Sequence, residues 1–252
     1  VAASLLVWVH PVRRWWKAGT ECPLANPGRV LREYITIMRQ IFAREGRLEF
    51  EGTQYQIPYT GPGSTGLGKP LKSIVHCQHD IRIFAASITP KGIETAAEVA
   101  DGIFPIWMDP EKFSVFEGPM NKGFNNAGEK SLSQFAVSPF VTVVMGHVVD
   151  ECMGRIRGNM SLYIGGMGAR DKNFYNNYAK ALGFEDAAVK IQDLFLAGRR
   201  DETAAAVPAE LIDACHLVGP ADRIRERLQR WKTAGANGHV ANMLLGTNQP
   251  GA

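Results

Sequence analysis

Ala86-Ser87-Ile88-Thr89 joins a short apolar run to a segment opening on Pro90, and the chemistry it could do is the capture of an anion. Thr89 is a good N-cap and proline suits the first helical position, so a helix is predicted from Pro90. Backbone N–H groups at a helix N-terminus have no partner within the helix and attract negative charge. The run before the turn, Ile81 to Ala86, has no helical period and reads as a strand buried on both faces. A turn at the carboxyl end of a parallel strand is where α/β folds place ligands. An ordinary strand-to-helix turn carries the same residue pattern, and the residues alone leave both readings open.

Other groups are weaker candidates. His76-Cys77-Gln78-His79 offers imidazole and thiolate ligands, but a zinc site needs a second ligand pair at a workable spacing, and none is present. No metal is expected. Gly165-Gly166-Met167-Gly168 follows no predicted strand and lacks the Lys-Ser/Thr ending of a phosphate loop, so it reads as a helix break. Asp171, Lys172, Phe174, Tyr175 and Tyr178 could line a substrate or subunit surface, or form a solvated helix with a buried aromatic stripe. Trp107 and Met108 end a predicted strand and could face a ligand or pack in the core. His147 and His216 lie near strand or loop ends without a readable partner. There is no Ser-His-Asp order, no paired carboxylates at a recognisable spacing and no basic-aromatic surface for nucleic acid. No residue is assigned a catalytic role.

The elements that must hold the turn are β-α-β. After the Ile81 strand, Ile93, Ala96, Ala97 and Ala100 form a small-residue stripe, Asp101-Gly102 ends the helix, and Ile103 to Trp107 is the next strand, with Pro105 a mark against it. Upstream, Val30, Leu31, Tyr34, Ile35, Met38, Ile41 and Phe42 predict an amphipathic helix over Arg29 to Arg44. A short hairpin is expected after Leu48, then a Gly/Pro-rich loop from Gly61 to Gly68. Downstream, a helix is predicted from Asp109-Pro110 to Ala127 and a strand over Phe135 to Met145. A long helical region from Val148 to Ala206 is broken at Gly165-Gly166 and Gly183. A helix over Pro220 to Ala234 and a last strand over His239 to Leu245 complete the pattern.

The 252 residues suit one barrel-sized domain, and 45% hydrophobic with 21% charged residues is ordinary for a soluble protein. A net charge of +3 gives no argument for nucleic acid. Cys22, Cys77, Cys152 and Cys215 are scattered without a C-x-x-C pair and read as free thiols. No apolar run reaches the length of a membrane span, and the apolar first residues precede the basic ones, the reverse of a secretory signal. A cytoplasmic protein is expected.

The Asp80 to Met108 stretch resembles the fifth and sixth strands of luciferase-like flavin-dependent oxidoreductases, especially the branch using the deazaflavin F420. Arg32-Glu33-Tyr34-Ile35, the G-L-G-K-P-L-K run at Gly66 to Lys72, Tyr163 to Gly168 and Leu217 to Pro220 are similar to that family in the same order. The resemblance covers about Gly28 to the C-terminus. It implies an α/β fold, a TIM-barrel-type (β/α)8, with the flavin at the carboxyl ends of the strands. It also implies hydride transfer to or from an organic substrate, sometimes with oxygen. F420 is the implied cofactor, FMN the alternative, and a homodimer is compatible with the family. Ala86, Ser87, Ile88 and Thr89 stand where family members bring a small-residue turn to the flavin phosphate. Family members often have a glycine there, and β-branched Ile88 limits backbone approach.

Only about four strands are credible, against the eight of a closed barrel, so the carboxyl-terminal half alone is expected. Residues 1–28 are expected to be an atypical segment ahead of a partial barrel over residues 29–252. Trp8, Trp15 and Trp16 crowd beside Arg13, Arg14 and Lys17. Tryptophan has a single codon, so a reading frame two bases later turns Arg14 to Lys17 into Val-Val-Glu when the Arg14 codon ends in G. With suitable codons, Val7 into Cys22 becomes L-G-x-S-G-P-A-V-V-E-G-W-H-G-M, similar to the family's fourth-strand segment. A shifted frame regained before Arg29 is the expectation. The rivals to an enzyme are a non-catalytic remnant, a split half completed by another chain, and a binding module without turnover.

Overall fold

The computed structural model describes residues 4–7 (backbone course only), 26–69, 76–77, 81–170 and 172–247. Most of the segment expected to be out of frame, residues 8–25, lies outside them, as do Gln78, His79 and Asp171.

Strand β1 (Ser4–Val7) pairs in parallel with β4 (Arg82–Ala85), in register from Ser4↔Arg82 to Val7↔Ala85. A strand there was not expected. Helix α1 (Pro27–Ala43) starts where the Asn26 side chain accepts the N–H groups of Gly28 and Arg29, and ends at Arg44 in the left-handed region. Leu31, Ile35 and Met38 are its buried stripe. The hairpin β2 (Phe50–Glu51) and β3 (Gln56–Ile57) is held to α1 by Glu33, which accepts the N–H groups of Thr53, Gln54 and Tyr55 at 2.8 to 3.0 Å.

The β-α-β unit forms, through α2 (Pro90–Val99) to β5 (Gly102–Ile103), which pairs in parallel with β4 but stops well short of the Trp107 end expected for it. Pro105 cannot donate to a ladder, but its carbonyl accepts the Phe140 N–H, and Ile106 still bridges to Phe140. Pro139 splits the strand expected over Phe135 to Met145 into β6 (Ala136–Val137), paired with β5, and β7 (Phe140–Met145). Asp109-Pro110 makes a turn, with the Asp109 side chain accepting the Glu111 N–H, and regular helix begins later, at α3 (Ser114–Asn126).

The helices that follow β7 begin with α4 (Val149–Gly166), α5 (Phe174–Ala181), α6 (Glu185–Leu196) and α7 (Arg200–Ala205). The breaks fall at Gly165-Gly166 and Gly183 as predicted, with one more at Gly198, φ 76°. Then come α8 (Ala209–Cys215), β8 (Leu217–Gly219), α9 (Ala221–Ala236) and β9 (Leu244–Thr247). The last strand begins five residues later than expected because the His239 N–H is spent on Ala234 O at the end of α9.

The strand orders are β1-β4-β5-β6 and β8-β7-β9, and every pair in both sheets is parallel. The core lies between the strands and their crossover helices, with Ile83, Ile93, Ala96, Ile103, Phe116 and Val141 at or below 1% exposure. This is the layering of a TIM-barrel-type α/β fold, present in part. None of its described helices is long and apolar enough to cross a membrane.

Candidate active site

The carboxyl ends of β4 and β5 lie side by side on one rim, and the predicted turn is on it. Thr89 caps α2: its hydroxyl oxygen accepts the Gly92 N–H at 3.1 Å and its carbonyl accepts the Ile93 N–H at 2.8 Å. Helix geometry leaves the first-turn N–H groups without intrahelical partners; Pro90 has none and Gly92's is capped, so those of Thr89 and Lys91 remain for an anion. Ala86, Ser87 and Thr89 are half-buried, while Ile88 is 7% exposed and belongs to the core. Its branched side chain therefore packs into the core, away from the half-buried Ser87 and Thr89.

Gly92 is the residue of this site that the sequence reading missed. A Cβ there would collide with Ser87 Oγ and Thr89 Oγ1. Its absence lets both hydroxyls gather at the helix mouth, a cradle suited to phosphate oxygens. The readable signal was a glycine three residues after the N-cap, a costly choice for a helix's first turn.

Four residues beyond β5 the structure turns Trp107 inward, at 5% exposure, with φ 51° in the left-handed region. Its ring packs on Tyr163 at 5.9 Å and Tyr175 at 5.6 Å between centroids, and those two tyrosines meet edge-on at 4.8 Å. Its carbonyl accepts the Tyr178 hydroxyl at 3.2 Å and the Cys215 thiol at 3.1 Å. Burial pushes Tyr178, Cys215 and, to about 12, Tyr175 above their ordinary values, so all three are protonated at neutral pH.

Asn173 ties this aromatic group together. Its side-chain oxygen caps α5 by accepting the N–H groups of Tyr175 and Asn176, and its amide donates to the Tyr163 and Ile164 carbonyls near the end of α4. Gly165 and Gly166 close that helix beneath the ring of Phe195, where a Cβ on either would clash. They are packing glycines at a helix end. Of the aromatic stripe, Tyr175 and Tyr178 are buried and Phe174 half-buried, while Lys172 is exposed.

The remaining candidates do not converge on the rim site. His147 is exposed beyond β7. His216 is buried, its ring nitrogens have no hydrogen-bond partner, and burial pushes it down to about 4, so it is neutral. His76 and Cys77 sit on a loop, and among the described residues no three His, Cys, Asp or Glu side chains could hold a metal ion.

Parallel strands with crossover helices and turns at the strand ends define a class, the α/β folds of TIM-barrel type, which place their ligands at that rim. The model of the luciferase-like monooxygenase family matches residues 8–238, starting inside the segment expected to be atypical. The chain belongs to the luciferase-like monooxygenase family. It is 35% identical over 226 residues to a Mycobacterium tuberculosis protein provisionally named coenzyme F420-dependent oxidoreductase, covering 89% of this chain and 64% of that protein. The F420-dependent tetrahydromethanopterin reductase of Methanopyrus kandleri has the same fold, with a TM-score of 0.65 at 19% identity over 93% of this chain and 61% of that one. An F420-dependent secondary alcohol dehydrogenase, solved with an F420-acetone adduct, gives 0.60 at 15% identity over 98% and 64%. The chain thus spans under two thirds of the length of each of these three.

Proposed function

We propose that this protein is an F420-dependent oxidoreductase that moves hydride to or from an organic substrate, with the cofactor's phosphate seated on the Ser87–Thr89 turn. The observation that carries the reading is the 35% identity, over nearly the whole chain, to a relative named for F420. The cradle at Gly92 supports it, because the residues present suit an anionic group held by hydroxyls and helix N–H donors.

Bound F420 would supply the hydride chemistry at its deazaflavin ring. The chain's own residues orient it. Ser87 and the free N–H groups of Thr89 and Lys91 receive the phosphate, and Ile88 anchors the turn in the core so that these donors keep their positions. The protonated Tyr178 and Cys215 fix the main chain at the neighbouring strand end, and the aromatic group around Trp107 excludes water from that side. The test is a fluorescence titration of the purified protein with F420 and, separately, with FMN. Saturable F420 binding is expected; saturation with FMN alone would replace F420 by FMN in the reading, and no saturation with either would overturn it.

A further inference from the structure

Trp107 carries a backbone conformation that bulky residues avoid, and the structure over-determines it. Its φ of 51° lies in the left-handed region, where a non-glycine residue persists only when its surroundings hold it. Two buried donors from different helices, Tyr178 of α5 and Cys215 of α8, converge on its carbonyl, and Tyr163 of α4 and Tyr175 of α5 clasp its ring. Helices α4, α5 and α8, from the stretch between β7 and β8, therefore all meet at this residue beyond the end of β5.

The turn also has a telling address. Ala85 pairs with Ile103, and the Phe104 N–H donates to Ala85 O at 3.0 Å. Neighbouring strands lie about 4.8 Å apart. The Ser87 turn and the Trp107 turn thus follow the carboxyl ends of adjacent strands on the same rim.

We propose that Trp107 is a positioning residue for the rim ligand: its left-handed turn, clamped by Tyr178 and Cys215, fixes the inserted helices over the carboxyl end of β5 and so shapes the space beside the Ser87 turn. This rests on the reading of that rim as the cofactor site. Neither donor needs to touch the ligand, because each acts through the Trp107 carbonyl.

The test is F420 affinity, followed by cofactor fluorescence, in the wild type, the Tyr178→Phe/Cys215→Ala double variant, Cys215→Ala, Cys215→Ser and Trp107→Gly. The double variant leaves the carbonyl without donors and should raise the F420 Kd about tenfold. Cys215→Ser keeps a donor and should bind within about twofold of wild type, whereas Cys215→Ala should not; a core-packing role alone would treat the two small residues alike. Trp107→Gly adopts the left-handed turn without strain but leaves a cavity where the indole packed, so it should fold with a lower thermal midpoint and bind F420 more weakly. If the wild type binds and the double variant and Trp107→Gly bind equally well, the positioning role is overturned and the F420 reading stands. If the double variant fails to fold, the Cys215→Ser/Cys215→Ala contrast decides. If the wild type does not bind F420, both fall.

Discussion

Gly92 and Ser87 compete for one space at the head of α2, and the glycine yields it to the hydroxyl. Gly92→Val would push Ser87 Oγ and Thr89 Oγ1 from the helix mouth and crowd the phosphate seat. F420 affinity should fall by about tenfold or more, equivalent to about 1.4 kcal/mol. Ser87→Ala keeps the space and removes one neutral donor, for a smaller loss of about 0.5–1.5 kcal/mol. Equal affinity in wild type and Gly92→Val by titration would remove the phosphate from this turn. Glu33 poses a different residue-scale question, one of pH. Burial alone would raise its carboxyl, but the N–H groups of Gln54, Thr53 and Tyr55 outweigh that and hold it below its ordinary value of 4.5. A carboxyl lowered by folding contributes stability that is fully present above the unfolded value and lost as pH falls through the folded one. Thermal midpoints measured below about pH 5 should therefore drop more steeply for the wild type than for Glu33→Gln, which is less stable at neutral pH. Parallel acid limbs for the two proteins would show that Glu33 is not the group responsible.

The helices α4 and α6 approach closely only because Gly165 and Gly166 have no side chains under Phe195. Gly165→Ala should cost about 1–3 kcal/mol by overpacking, read as a lower denaturant midpoint with unchanged slope. An unchanged midpoint would return these glycines to a mere helix end. The sequence showed the break here because glycine interrupts a helical period, but not the ring above it, which comes from thirty residues downstream. The same limit governed the strands. Ile81 to Ala86 was legible because a buried parallel strand is continuously apolar, and Thr89-Pro90 because capping is local. The split at Pro139, the late start of β9 and the role of Pro105 depended on which neighbour each backbone group met. In the site, the turn itself was readable from local signals. The Trp107 clamp was not, because Tyr178 and Cys215 lie 71 and 108 residues away from it in sequence and carry no motif.

At the scale of the molecule, the parallel strands give the sheet edges that side chains must manage. Among the described residues β9 pairs only with β7 and β1 only with β4, so no described strand pairs with the outer side of either. Leu244 and Leu245 of β9 are 37% and 60% exposed, and Phe140 beside them is 38% exposed. An edge without lysine, proline or a bulge, flanked by apolar side chains, recruits another strand. The protein should self-associate as concentration rises, visible as an increase in weight-average mass by light scattering. Leu245→Lys places a charge on that edge at an exposed position, where stability changes stay within about 0.5 kcal/mol. It should shift the mass toward that of one chain without moving the thermal midpoint. A wild-type protein that remains a single chain at every concentration would mean that the β9 edge is already covered in solution. An associated Leu245→Lys protein would move the contact elsewhere, to the β1 edge or to the exposed Val189 and Leu196 of α6.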